Sequence, residues 1–324
     1  MLALCYPERV ARRRDERGER WQLASGVGAA LAPPSLLMRE SWLAVAELDG
    51  EGRDARIYLA AAVREEDLVV FLPELFFAGT EVLWSTQEEA VIAREVQRFG
   101  AIIVKEKALP AGGEVVAREL CRGLRQIGWR NLPLAEQARQ WLQRAQWVST
   151  KNIIENFPDF SEKYLLETME DWLLPFLSGV SRRSQLAQVD WLSALQARLD
   201  YTQQQQLDCL APAQLTVPTG SRITLDYAGE QPILPVRLQE MFGAQETPRI
   251  ADGKIPLLIH LLSPRQTPLA VTQDLASFWQ NAYREVRKDM RGQYPKHYWP
   301  ENPLEAEPTR RSKAADDRAR KKLS

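Results

Sequence analysis

Apolar and polar positions along the chain change period several times, and each change marks a region. Residues 19–108 carry the pattern of strands. Segments 21–24 and 28–31 flank a Gly-Val turn, and the apolar run 42–48 closes on Asp49-Gly50, a hairpin signal. Segment 55–61 alternates, which predicts Ile57, Leu59 and Ala61 on one face and Arg56, Tyr58 and Ala60 on the other. Segment 82–84 resumes strand, 89–99 and 101–107 make a long pair about Gly100, and 65–71 reads as a short helix. About five strands with one helix fit a small closed or partly open barrel. Before it, Leu2, Tyr6 and Val10 place 1–14 as the tail of a helix, so 1–18 is expected to end a helical domain.

From 109 to 210 the period becomes helical. Val116, Leu120, Leu124 and Ile127 recur on one face, and Leu134, Ala138, Trp141 and Ala145 repeat the pattern. Asp159 with Glu162, and Thr202 with Gln205, are the predicted caps of two further helices. The tryptophans at these spacings read as core. Residues 211–264 return to strand between prolines, and 273–291 form one helix burying Leu275, Phe278, Trp279, Ala282, Val286 and Met290. The expected fold class is α+β: an OB-like small barrel at 19–108, a helical region at 109–210, a smaller mixed α/β domain at 211–300, and a disordered charged tail at 301–324.

Composition narrows the function. The chain has 324 residues, 45% hydrophobic and 26% charged, which is ordinary for a globular protein and excludes disorder over most of its length. Net charge is −1, so any nucleic-acid footprint must be a local patch. No apolar run reaches the roughly 20 residues of a membrane span, and Arg12, Arg13 and Arg14 stand where a leader would carry its cleavage site. The expected location is the cytoplasm, with no membrane partner. Three scattered cysteines make neither a disulfide framework nor a zinc knuckle. His260 reads as a strand residue and His297 as a surface residue. There is no phosphate-cradling loop, so no catalytic residue, metal ligand or cofactor is assigned to this chain.

One constellation carries chemistry. Arg284, Arg287, Lys288 and Arg291 recur at i, i+3, i+4 and i+7, opposite the apolar face of their helix, with Lys296, His297, Tyr298 and Trp299 just beyond. Residues 284–324 hold 12 Lys and Arg against 7 Asp and Glu. Such a stripe can hold a phosphate backbone, while nearby aromatics stack bases. A solvated helix face with a solubilising tail has the same composition. The Arg9–Arg20 cluster, diluted by Glu8, Asp15, Glu16 and Glu19, reads as a charged helix end.

The segment Pro268-Leu-Ala-Val-Thr-Gln-Asp-Leu-Ala-Ser-Phe-Trp-Gln-Asn-Ala-Tyr283, with Val286–Gly292, Tyr294-Pro-Lys-His297 and Trp299-Pro300, resembles the C-terminus of the HrpB family of DEAH-type bacterial RNA helicases. The opening, Leu2–Arg14 and Trp21–Gly28, resembles the passage of that family's helical domain into its OB fold. The resemblance implies an OB-like barrel and a family-specific C-terminal region. In a complete member, two RecA-like motor domains bind ATP and Mg²⁺, and their motifs have no counterpart here. The implied role is to guide single-stranded RNA or DNA for motor domains present in cis or trans. Arg53, Arg56 and Trp84 on the barrel, beside the C-terminal stripe with Lys296, are the candidate contacts. Two other readings stand beside it: a stand-alone nucleic-acid-binding module, and a protein-interaction scaffold.

Overall fold

The computed structural model describes residues 1–49 and 54–310. The chain is mixed α/β, with a closed five-stranded barrel and several helices, and it forms two compact units. One comprises 1–126 with 178–185, the other 127–177 with 186–324.

The first unit begins with a single helical turn, α1 (Leu2–Cys5), and a 3-10 turn at Pro7–Arg9. Strands β1 (Val10–Arg13), β2 (Arg20–Leu23), β3 (Gly28–Leu31), β4 (Trp42–Leu48) and β5 (Asp54–Ala62) close in the order β1-β2-β3-β5-β4. Only β3 and β5 run parallel; the other barrel pairs are antiparallel. Alternate residues fill the interior: Ala11, Trp21, Leu23, Ala29, Leu31, Leu43, Val45 and Ile57. The barrel therefore starts at Val10, inside the stretch expected to be a helix tail. Pro7 has no amide hydrogen and cannot continue α1, and the next residues pair with β2 and β4. The alternation in β5 also departs from expectation. Register irregularities between Val45 and Leu48 shift the phase, so Ile57 and Ala60 pack on the core while Leu59 turns outward, 59% exposed.

The strands at 76–108 do not join the barrel, although the hydrophobic pattern placed them there. Helix α2 (Glu65–Phe71) leads to β6 (Phe76–Ser85), β7 (Ala90–Phe99) and β8 (Ile102–Ala108), which form a separate antiparallel sheet in that order. Val10 and Trp42 face out of the barrel and are sealed by Leu68, Leu72, Phe99 and Ile102 in a second core. Phe99 meets Trp42 and Phe76 edge-on, at 5.8 and 5.0 Å. The β7–β8 turn needs Gly100, whose φ is +55° and whose added Cβ would lie 2.6 Å from the Ala24 carbonyl oxygen.

Helix α3 (Gly113–Ile127) places Gly123 against the Trp84 ring of β6; a Cβ there would sit 2.2 Å from Cδ2. Gly123→Ala gains about 1 kcal/mol of helix propensity but must push this ring aside, at about 1–3 kcal/mol. The expected net is a loss of about 1 kcal/mol in urea denaturation, reversed to a gain on a Trp84→Leu background. Equal effects on both backgrounds would contradict this packing.

The second unit holds α4 (Glu136–Thr150), α5 (Glu162–Glu167), α6 (Met169–Leu173), α7 (Trp191–Gln196) and α8 (Tyr201–Leu210). Trp172 bridges Trp129 and Trp191, each 6.4 Å away, so tryptophans build this core. The observed caps are Ser161, which accepts from the Tyr164 amide, and Asp200, in a capping box with Gln203. Each lies two residues from the predicted cap, and at the first Asp159 spends its carboxylate on Ser161. Strands β9 (Gln214–Thr216) and β10 (Arg222–Thr224) pair with each other, as do β12 (Arg249–Ile250) and β13 (Ile255–Pro256). Between and after them, β11 (Ile233–Arg237), β14 (Leu258–Leu262) and β15 (Pro268–Thr272) form a sheet with β14 central.

The single helix expected at 273–291 is two: α9 (Leu275–Gln280) and α10 (Tyr283–Gln293). The break shifts the apolar phase, so Ala282 is exposed and Tyr283 is buried in its place, donating its hydroxyl to the Pro300 carbonyl. Burial pushes the Tyr283 hydroxyl well above its ordinary range. Residues 301–310, expected as the start of a disordered tail, are packed. Pro303, Ala306 and Thr309 are buried, and Pro303 and Thr309 bond to the backbone of Gly243 and Gln239. The expected remainder of the tail, 311–324, lies outside the described residues.

Candidate nucleic-acid interface

Helix α10 packs through Tyr283 and Met290, which turns Arg284, Lys288 and Arg291 outward. None of these three forms an ion pair with a described residue. Arg287 differs. It is only 20% exposed, its Nε donates to the Trp299 carbonyl at 3.1 Å, and it pairs with Glu301 at 3.1 Å. The structure thus brings three of the four predicted cations together as a free stripe and uses the fourth to fasten the chain after the helix. Lys296 is exposed beyond the helix end. His297 is half-buried rather than solvent-facing; burial and the neighbouring Arg237 hold its imidazole below the usual histidine range. Arg287→Gln is expected to cost about 1 kcal/mol in denaturation, the net worth of its hydrogen bonds, without changing any salt-dependent binding. A change in binding alone would return Arg287 to the stripe.

The barrel offers a second basic face, set by strand register. Trp21, Ala29 and Ile57 point inward, so their neighbours Arg20, Ala30 and Arg56 point outward. Arg20 lies opposite Ala30, and Ala30 opposite Arg56. The Arg14 amide donates to the Arg20 carbonyl at 2.8 Å and extends the row to β1. Arg14, Arg20 and Arg56 are all exposed, and three strand spacings make the row roughly 14 Å long. Small Ala30 leaves its middle open. Tyr58, two residues along β5 and 58% exposed, lies with its ring 5.7 Å from the Arg56 guanidinium. Its hydroxyl donates to Asp49, and that hydrogen bond to a carboxylate raises its pKa.

The other predicted barrel contacts fall elsewhere. Arg53 lies outside the described residues. Trp84 is no free stacking platform: Gly123 covers one face of the ring, and the indole N–H is buried without a partner among the described residues. Arg14 and Arg20 were missed as contacts because their cluster read as a helix end. It is instead a 3-10 turn, strand and loop, and part of it is structural. Arg9 donates to the Ala46 carbonyl, Arg12 to that of Ile103, and Arg13 to those of Met38 and Arg39. The alternation Arg20-Trp21-Gln22-Leu23 was the available signal that Arg20 faces out.

Residues 172–303 match the ATP-dependent helicase C-terminal family, named for HrpB. Escherichia coli K12 ATP-dependent RNA helicase HrpB is 40% identical over 322 residues, which is 97% of this chain. The chain is similar to HrpB over nearly all of its length, and its family match is to the C-terminal region of such helicases. It spans 39% of the length of that curated HrpB. A crystal structure of the E. coli DExH-box NTPase HrpB matches with a TM-score of 0.60 at 40% identity, over 96% of this chain and 39% of that one. A second HrpB crystal structure, of the E. coli DEAH/RHA helicase, matches with a TM-score of 0.53 at 35% identity, over 92% of this chain and 37% of that one. Both the barrel and the α10 stripe fall within the HrpB-like region. Among the described residues no helix is long and apolar enough to cross a membrane, and no cluster of side chains is arranged to hold a metal ion.

Proposed function

We propose that this chain guides single-stranded RNA for an HrpB-like, ATP-dependent RNA helicase, with ATP hydrolysed by motor domains outside it, in cis or in trans. The observation that carries this reading is the outward row Arg14, Arg20 and Arg56 beside Tyr58, on a closed barrel ordered β1-β2-β3-β5-β4. That strand order is the one used by OB folds, whose β2–β3 face binds oligonucleotides. Arginines there follow a phosphate backbone, and an exposed ring accepts any base, which suits a strand that must slide. The three free cations of α10 supply a further phosphate-binding surface in the second unit. ATP and Mg²⁺ belong to the motor, where phosphate charge is neutralised during transfer. The proposed location is the cytoplasm.

The test is binding of the purified chain to a twelve-nucleotide oligouridine and to a blunt RNA duplex at low salt, with ATPase activity assayed in parallel. The expected result is a preference for the single strand and no ATP hydrolysis by the chain alone. Absence of single-strand binding would move the chain to the scaffold reading.

A further inference from the structure

The second unit contains a cavity of about 250 Å³ that lies on neither basic surface. One wall is a single face of α4, where Gln137, Gln140, Trp141 and Arg144 recur at i, i+3, i+4 and i+7. Gln196 of α7 and the buried Leu225 also line the cavity. The volume is just below the roughly 300–1,000 Å³ of pockets for drug-sized ligands, so it suits one flat ring system better than a peptide segment.

The polar groups of this cavity are specific. Arg144 is buried. One terminal nitrogen pairs with Asp208, but its Nε–H is buried with no acceptor among the described residues. A buried guanidinium hydrogen without a partner is a donor awaiting an acceptor. Gln137 is exposed at the mouth and Gln196 is half-buried, and each amide offers both a donor and an acceptor. Gln140 already donates to Glu136, which leaves its carbonyl oxygen as an acceptor. Among the described residues no carboxylate lines the cavity, so a cationic ligand finds no counter-charge from them.

We infer that this cavity receives a single guanine base splayed out of the bound RNA, a step that rests on the RNA reading above. Guanine presents two acceptors, O6 and N7, on the edge that arginine reads, and donors at N1 and N2 for glutamine oxygens. Adenine and cytosine present an amino donor where Arg144 needs an acceptor. Trp141 and Leu225 supply apolar lining on which a base can stack. The site gives the C-terminal unit a preference for guanine that the sequence-tolerant barrel lacks.

The test compares oligouridine with the same oligomer carrying one central guanosine, together with free guanosine monophosphate by calorimetry, on the full chain and two variants. Gln196→Trp fills the cavity, and Gln140→Leu removes an acceptor at nearly constant size; circular dichroism checks that both fold. The expected result is about tenfold tighter binding of the guanosine oligomer, lost in both variants while oligouridine binding stays unchanged. Equal binding of both oligomers with no heat from guanosine monophosphate overturns the pocket and leaves the RNA reading intact. Guanosine monophosphate binding that Gln196→Trp abolishes, with neither oligomer bound, keeps a guanine-binding cavity but overturns its filling by an RNA base, together with the RNA reading.

Discussion

Gly18→Ala should destabilise the barrel unit by about 3 kcal/mol, the largest single effect expected in this chain. Gly18 ends the β1–β2 loop with φ at +74°, where an L-residue pays about 1–2 kcal/mol. Its added Cβ would lie 2.0 Å from the Met38 carbonyl oxygen and 2.8 Å from the Met38 Cα. Those are backbone atoms, so no side chain can swing away, and overpacking adds about 1–3 kcal/mol. Nor can the loop relax freely. The Gly18 amide donates to Asp15, and its carbonyl receives the buried indole N–H of Trp21. Gly179 is the control: its φ is +75°, but no atom of a described residue lies within 4 Å of its added Cβ. Gly179→Ala should therefore cost only the backbone part, about 1–2 kcal/mol. Urea denaturation that finds the two variants equally stable would contradict the close approach of the β1–β2 loop to Met38.

Replacing Arg14, Arg20 and Arg56 together with Gln should lower single-stranded RNA affinity roughly a hundredfold at 0.1 M salt. Each lost phosphate contact removes about 0.7 from the slope of log affinity against log salt; three contacts over one decade below 1 M give about two decades. The fold should survive, because all three side chains point to solvent from strand or loop positions whose inward neighbours hold the core. Tyr58→Ala should cost about 1–3 kcal/mol of affinity with little change in salt slope, since stacking is not counterion release. Fluorescence anisotropy with labelled oligouridine reads both. A triple variant that binds like the parent would make the row a solvated barrel face.

Part of the barrel unit was legible from its apolar runs and the turn signals that bound them. Trp42–Leu48 and Glu65–Phe71 fall where the hydrophobic pattern put them. Closure was less legible, since it depends on β1, a four-residue strand that sits just after a helix-like start. Pro7 was a local stop signal for α1, but local pattern could not tell that 76–108 form a second sheet packed on the outside of the first. The phase slip in β5 likewise comes from pairing with β4, which no single segment records. For the site, exposure of Arg284, Lys288 and Arg291 follows from helical period, and that was readable. The capture of Arg287 by Trp299 and Glu301 was not, because it needs the path of the chain after α10. The same holds for Trp84, an aromatic in a strand whose covering partner, Gly123, comes from a helix 39 residues on.

The most direct test of strand guidance is the salt dependence of oligouridine binding by the full chain between 0.05 and 0.5 M salt. Arg14, Arg20 and Arg56 on the barrel and Arg284, Lys288 and Arg291 on α10 are two sets of three exposed cations, so each set should contribute roughly −2 to the slope of log affinity against log salt, and replacing a set should remove its share. A slope near zero, or one that neither replacement changes, would contradict the account.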